Sequence, residues 1–391
     1  MTRLEIDTDY LAKRLKQFLA IPSPTGYTDN VVHEACRELK RLGIKFEITR
    51  RGAIRARIPG RKQSPARAII SHLDTLGAQV KSLKDNGRLE LVPIGHWSAR
   101  FAEGARVTVF SEAGTYRGTI LPLKASGHTF GDEIDELPVG WPYVELRIDA
   151  RARSRAEVEA LGIDIGDIVA IDPQPEFLDN GFINSRHLDD KAGVSIMFAA
   201  MEAMMREKAH PPVDIYFLFS TAEEVGIGAS AVLTPDVAAM VSIDNGTTAP
   251  GQNSQEFGAT IAMADQTGPF DWHLNRKLVQ LCRDNDIRYQ KDVFRYYRSD
   301  SASALASGAD IRTALVAFGI DASHGYERIH MHSLRSISEL VTAYALSPVE
   351  IARDAEDLGP AKGFTHQPTQ EATQQLSPKV EISEDEMNPA E

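Results

Sequence analysis

Cysteine is nearly absent: Cys36 and Cys282 are the only two in 391 residues. Two such thiols make no disulfide framework and no cysteine-rich zinc cluster, which points to a reducing compartment. Long apolar runs are missing too. No stretch of 18 or more apolar residues exists, so no transmembrane helix is expected. The opening MTRLEIDTDYLAKRLKQFLA is charged and lacks the apolar centre of a signal peptide. A cytoplasmic location is the expectation. Basic charge is in deficit, with 43 Lys and Arg against 55 Asp and Glu, a net −12. That argues against a broad electrostatic grip on nucleic acid or an anionic membrane surface. The deficit is uneven: residues 353–391 hold nine acids and three bases, which is −6 of the total. There is no internal repeat.

What remains is an ordinary globular composition, 42% hydrophobic and 25% charged. Asp7 or Thr8 can cap a helix running to about Ala20, with Leu11, Leu15, Phe18 and Leu19 on one face. IPSPTG breaks it. Asp29 to Leu42 reads as a second helix stopped by Gly43. Lys45–Arg50 and Ala53–Ile58 read as a hairpin turned at Arg51-Gly52, and ARAIIS (66–71) as a buried strand. From about Gly77 to Ile171 turn signals are dense, and short alternating runs (LELV, RVTVF, YRGTIL, YVELRI) lie between them. This pattern predicts a small all-β unit with one short helix near Ser154–Leu161. The αβ pattern then resumes with a helix at Lys191–Arg206 and apolar strands at Val213–Ser220 and Ala239–Ile243. Strands apolar on both faces belong in a sheet covered by helices on both sides. The expected architecture is therefore α/β, a catalytic unit of residues 1–76 and 172–352 interrupted by a β unit at 77–171. The Pro-, Gln-, Glu- and Ser-rich stretch 353–391 is expected to be a disordered acidic tail.

Chemistry-bearing residues follow three of the apolar strands. His72-Leu73-Asp74 follows ARAIIS, Glu223-Glu224 follows VDIYFLFSTA, and Asp244 follows AAMVSI. Carboxyl ends of strands are where an open α/β sheet binds ligands. His187-Leu188-Asp189-Asp190 precedes a helix, and His332 lies in ERIHMHS with His330 as its competitor. The set His72, Asp189, Glu224, Asp244 and His332 offers only nitrogen and oxygen donors, which suit Zn, Co or Mn. Two histidines and three carboxylates can hold two ions with one carboxylate shared. Of the pair Glu223-Glu224, one can bind metal while its neighbour takes a proton from the activated water. Asp74 can orient the His72 imidazole through its second nitrogen, and Asp190 can cap the following helix.

The segments SHLDT, LDDKAG, TAEEVG, SIDNG and MHS, in this order, resemble the M42 metallo-aminopeptidases, a branch of the co-catalytic zinc peptidases. The likeness covers about Tyr10 to Leu346. It implies a zinc-peptidase-like mixed sheet with an inserted β-barrel-like domain that mediates oligomerisation, up to dodecamers. It implies that His72 and Asp244 hold one ion, Glu224 and His332 the other, that Asp189 bridges, and that Glu223 is the general base on a metal-bridging water. The MHS motif is what selects His332 over His330. It further implies removal of N-terminal residues from short peptides. His128, in KASGHTF, resembles a histidine that members place near a neighbouring subunit's site. The chain departs from the family in having Lys191 after the paired aspartates, where arginine is common. It also carries Arg298-Ser299-Asp300-Ser301-Ala302 in place of a Gly-Thr-Asp-Ala-like loop. Arg298 and Asp300, with Arg295, become candidates for recognising substrate termini. These departures resemble an M42 branch associated with a capped glutamine-dipeptide osmolyte. The alternatives are a specialised peptidase or amidohydrolase acting on such a capped dipeptide, a related carboxypeptidase, dipeptidase or deacylase, and a non-catalytic metal-binding scaffold.

Overall fold

A computed structural model describes residues 3–367. The side chain of Asp7 accepts from the Tyr10 amide and starts the helix Thr8–Leu19. The apolar stripe of that helix is buried against the helix Leu188–Arg206, where Phe18 stacks on Phe198 at 5.4 Å. The hairpin forms from Lys45–Ile48 and Ile54–Ile58, which pair antiparallel.

These strands open a nine-stranded mixed sheet. Across it the order is Lys45–Ile48, Ile54–Ile58, Val213–Ser220, Lys62–His72, Val237–Thr247, Arg312–Ile320, Ala259–Asp265 and Gly268–Pro269. Tyr289–Val293 also pairs with Ala259–Asp265. The middle four strands, Val213–Ser220, Lys62–His72, Val237–Thr247 and Arg312–Ile320, are mutually parallel. Their alternate residues enter two different cores, as a strand's pleat requires. Ile69, Phe217 and Phe219 pack beneath the long helices, whereas Ala68, Ile70, Tyr216 and Leu218 pack on the opposite face with Val232 and Ala304. That two-sided burial is why these segments read as continuous apolar runs.

After His72 the chain leaves the sheet. The strands Gly77–Leu83, Leu89–Ile94, Arg106–Ser111, Gly114–Pro122, Val144–Ile148 and Ile168–Ile171 close into a six-stranded barrel. It has its own core of Val80, Leu91, Val107, Val109, Ile120 and Leu146. Closure satisfies every edge. Ser154 caps the short helix Arg155–Ala160.

Two features were not expected from the sequence. A small antiparallel sheet joins Glu176–Phe177, Phe182–Ser185 and Glu327–His330. The stretch expected to be disordered from Arg353 begins with an ordered turn, Ala352–Ala355, because Asp354 makes a two-bonded ion pair with Arg312 at 2.6 and 3.1 Å. The remainder of that stretch from 368 on lies outside the described residues. Among those described, no helix is long and apolar enough to cross a membrane.

Candidate active site

The four parallel strands deliver their chemistry to one edge. In sheet order, Glu223 and Glu224 follow Val213–Ser220, His72 ends Lys62–His72, Asp244 lies near the end of Val237–Thr247, and His324 follows Arg312–Ile320. The Asp189-Asp190 turn at the head of the helix Leu188–Arg206 faces them. His72, Asp189, Asp190 and Asp244 are buried.

The two histidines are held alike. Nδ1–H of His72 donates to the backbone carbonyl of Asp74 at 2.9 Å, and Nδ1–H of His324 donates to the carbonyl of His96 at 2.8 Å. A carbonyl can only accept, so each neutral ring keeps its free lone pair on Nε2, the form a metal ligand needs. Both Nε2 atoms face Asp189. His72 stands 3.2 Å from Oδ1 and His324 3.2 Å from Oδ2. Asp189 thus sets one oxygen toward each imidazole. The two rings hold its carboxyl below the usual carboxylate range against the effect of burial, and the His324 imidazolium is raised to about 10 despite burial that opposes it.

The flanking carboxylates show the opposite effect. Burial, then mutual repulsion, pushes Asp244 to about 8 and Glu224 to about 8, and raises Glu223 well above its ordinary value. Among the described residues, Glu224 Oε1 is buried with no hydrogen-bond partner. Buried like charges with an unsatisfied oxygen are costly unless a cation offsets them. Three groupings, His72/Glu223/Asp244, His72/Asp189/Glu224 and Asp189/Asp190/Asp244, bring ligand atoms within 4.8 Å of one another. The donor set therefore fits hard or borderline divalent cations.

Supporting bonds fix this geometry. The Asp74 carboxylate accepts from the amides of Glu223 and Glu224 at 3.2 and 3.3 Å and from Thr25 Oγ1 at 2.6 Å. Its side chain thus holds the glutamate turn. Its backbone carbonyl orients His72 through Nδ1, while the carboxylate stands 3.6 Å from that nitrogen. Asp190 ties the strand end to the helix start, accepting from Ser71 Oγ, His72 N and Gly193 N. Lys191 Nζ donates to Ser23 Oγ and the Leu73 carbonyl.

His332, expected as the fifth ligand, lies elsewhere. It is exposed in the first turn of the helix Met331–Leu346, where its amide donates to His330 Nδ1 at 3.0 Å. The strand Glu327–His330 carries the chain away from the cluster before His332 is reached. His324 occupies the place instead. Three further residues escaped the sequence reading. Glu327, 1% exposed, accepts from the amides of Leu188, Asp189 and His324 at 2.8, 3.2 and 2.9 Å. Asn245 Nδ2 donates to both Asp189 Oδ2 and Asp244 Oδ1. Tyr297 sets its hydroxyl beside Asp244.

The cluster floors a cavity of about 300 Å³ between the sheet edge, the barrel's His96 and the segment from Tyr296 to Ser303. Arg298 lines it, exposed. Asp300 also lines it, but its Oδ2 accepts from Ser220 Oγ at 2.5 Å, which commits it to the floor. His128 is exposed on the short helix Gly127–Phe130, outside this cavity's lining. His187 bonds the Ile171 carbonyl, and burial lowers it to about 4.

A mixed α/β sheet that gathers imidazoles and carboxylates at its carboxyl edge, interrupted by a closed barrel, has close structural counterparts. Pyrococcus horikoshii TET1, solved as a dodecamer, superposes with a TM-score of 0.75 at 22% identity, over 86% of this chain and 99% of that one. Aminopeptidase APDkam598 of Desulfurococcus kamchatkensis gives 0.77 at 24% identity, over 87% and 95%. In sequence, YhfE of Bacillus subtilis (strain 168), which bears an aminopeptidase name, is 36% identical over 336 residues, 86% of this chain and 97% of YhfE. The family model described as M42 glutamyl aminopeptidase matches residues 52–340, and the chain belongs to that family. It is accordingly a hydrolase of the aminopeptidase class.

Proposed function

We propose that this chain is a binuclear metal-dependent aminopeptidase acting on short peptides. The observation that carries the reading is Asp189, with one carboxylate oxygen toward the Nε2 of each histidine. His72 and Asp244 would hold one divalent ion, His324 and Glu224 the second, with Asp189 shared between them. Zn, Co or Mn fits these donors. When bound, such a pair polarises the scissile carbonyl and makes water acidic near neutral pH.

The chain's own residues do the rest. Glu223 and Glu224 share the turn whose backbone Asp74 holds, and both line the cavity; in this reading Glu224 serves an ion and Glu223 is the base. It takes a proton from the attacking water as the water oxygen bonds to the carbonyl carbon. It returns that proton to the amine as the C–N bond breaks. Arg298 supplies a cation at the cavity wall for a substrate carboxylate. Self-association is part of the same reading, supported by the fold shared with TET1, which assembles into a tetrahedron or a large octahedral shell. The barrel unit, exposing Leu123, Val139 and Tyr143, is its contact surface, and His128 would face a neighbouring subunit. Light scattering that found only monomers would end that part.

The direct test is hydrolysis of aminoacyl and N-acetylated dipeptides by protein stripped of metal and reloaded with Zn, Co or Mn. Activity restored on free N-termini supports the reading. Activity confined to blocked or amidated glutamine dipeptides moves the substrate to a capped dipeptide. Stoichiometric metal with no hydrolysis of any peptide or amide leaves a scaffold.

A further inference from the structure

Tyr297 carries a buried hydroxyl with no hydrogen-bond partner among the described residues, at the wall of the cavity that holds the metal-ligand candidates. It lies beside Asp244, yet among the described residues no contact of the hydroxyl meets hydrogen-bond geometry. Its ring is fixed by Phe294, with centroids 5.3 Å apart, and its backbone carbonyl accepts from Gln266 N at 3.0 Å. The phenol is therefore rigidly placed. A buried hydroxyl without a partner is costly, so a fold that keeps one has left a donor for something that enters the cavity. Asp189, Glu223 and Asp244 are its acidic neighbours. These neighbours offer acceptors, and a hydrogen-bond donor beside them would add to the proposed ion pair in stabilising new negative charge on a substrate oxygen. A phenol hydroxyl buried at the cavity wall meets that need.

Building on the aminopeptidase reading, we infer that Tyr297 is a catalytic residue whose hydroxyl donates a hydrogen bond to the scissile carbonyl oxygen as that oxygen becomes anionic. No proton is transferred. The bond strengthens as water adds to the carbonyl carbon, and Glu223 still carries the proton to the amine. A donor of this kind contributes about 10²–10³ in kcat.

The test is Tyr297→Phe, which keeps the ring and its packing. The expected result has four parts measured on the metal-loaded protein. The kcat falls about 10²-fold with KM within about threefold. Affinity for a phosphinic dipeptide, which mimics the tetrahedral carbon, falls by a similar factor, while affinity for the free product amino acid is unchanged. Metal content stays at the wild-type value. The melting temperature stays level or rises, since the change removes a hydroxyl that bonds nothing in the protein. A variant with wild-type kcat and wild-type phosphinate affinity overturns the inference and leaves the aminopeptidase reading standing. A variant that loses metal or melts lower makes Tyr297 a support for Asp244 and also overturns it. Wild-type protein that binds metal but hydrolyses nothing defeats the underlying reading instead.

Discussion

Replacing Glu327 with glutamine should weaken cation binding although Glu327 is not itself a ligand. Its two oxygens accept three backbone amides, Leu188 and Asp189 on Oε2 and His324 on Oε1. This one carboxylate therefore joins the two loops that carry Asp189 and His324. A glutamine can place its oxygen where Oε2 stands, but its NH₂ then meets the His324 amide, donor against donor. One buried N–H is left without an acceptor, a penalty of about 1–3 kcal/mol. If the loop relaxes to satisfy it, His324 leaves its position, which rests on a left-handed backbone at φ 64°. At 1.36 kcal/mol per tenfold, affinity should fall about 5- to 150-fold, the scale usual for residues that orient ligands. Chelator competition with Zn or Co measures it. The assay belongs at pH 8.5 or above, because burial raises Glu327 to about 8 and the carboxylate must be charged. A Glu327→Gln protein with affinity within twofold of wild type would refute the reasoning.

The remaining predictions concern the same cluster. His324→Ala should bind about one ion fewer by metal analysis and lose activity, whereas His332→Ala should keep both; the reverse pattern would restore the motif-based assignment. Glu223→Gln should keep its metal and lose about 10²–10⁴ in kcat; near-normal turnover would remove it as the base. Metal-stripped protein should lose stability as pH rises from about 5 to 8. Glu224 and Asp244, held near 8, bind protons more tightly folded than unfolded, so their contribution is full below the ordinary carboxylate value and is lost as pH passes their folded values. His324, raised to about 10, acts with the same sign at higher pH. Melting temperatures at pH 6 and 8.5 check this, and a higher value at pH 8.5 would contradict it.

Much of this site was legible because apolar strands end abruptly in chemistry. ARAIIS runs into His72, VDIYFLFS into Glu223 and Glu224, and AAMVSI into Asp244, and the sheet sets these ends side by side. The same rule applied to RTALVAFGI, residues 312–320, points to His324 four positions on. The MHS motif drew attention to His332 instead. Only the pairing of Glu327–His330 with Phe182–Ser185 reveals that the chain has already left the cluster there. Glu327, Asn245 and Tyr297 act through backbone amides, a neighbouring carboxylate and an empty coordination of a hydroxyl. Such relations depend on long-range folding and leave no spacing in the sequence. Composition alone does not show the order of the early acidic stretch, which the ion pair of Asp354 with Arg312 helps to dock.

The His96 carbonyl that fixes the His324 ring comes from the barrel, while the ring itself comes from the sheet. The proposed second ion site is therefore complete only when the two units are in register. Cation capture and docking of the barrel become two readings of one equilibrium. Whatever tightens the seating of the barrel, a neighbouring subunit included, must raise cation affinity by the same factor that the cation raises the seating. An assembly built through the barrel would then ripen its own active sites as it closes, and a stray protomer would be slow to act on peptides before it has joined.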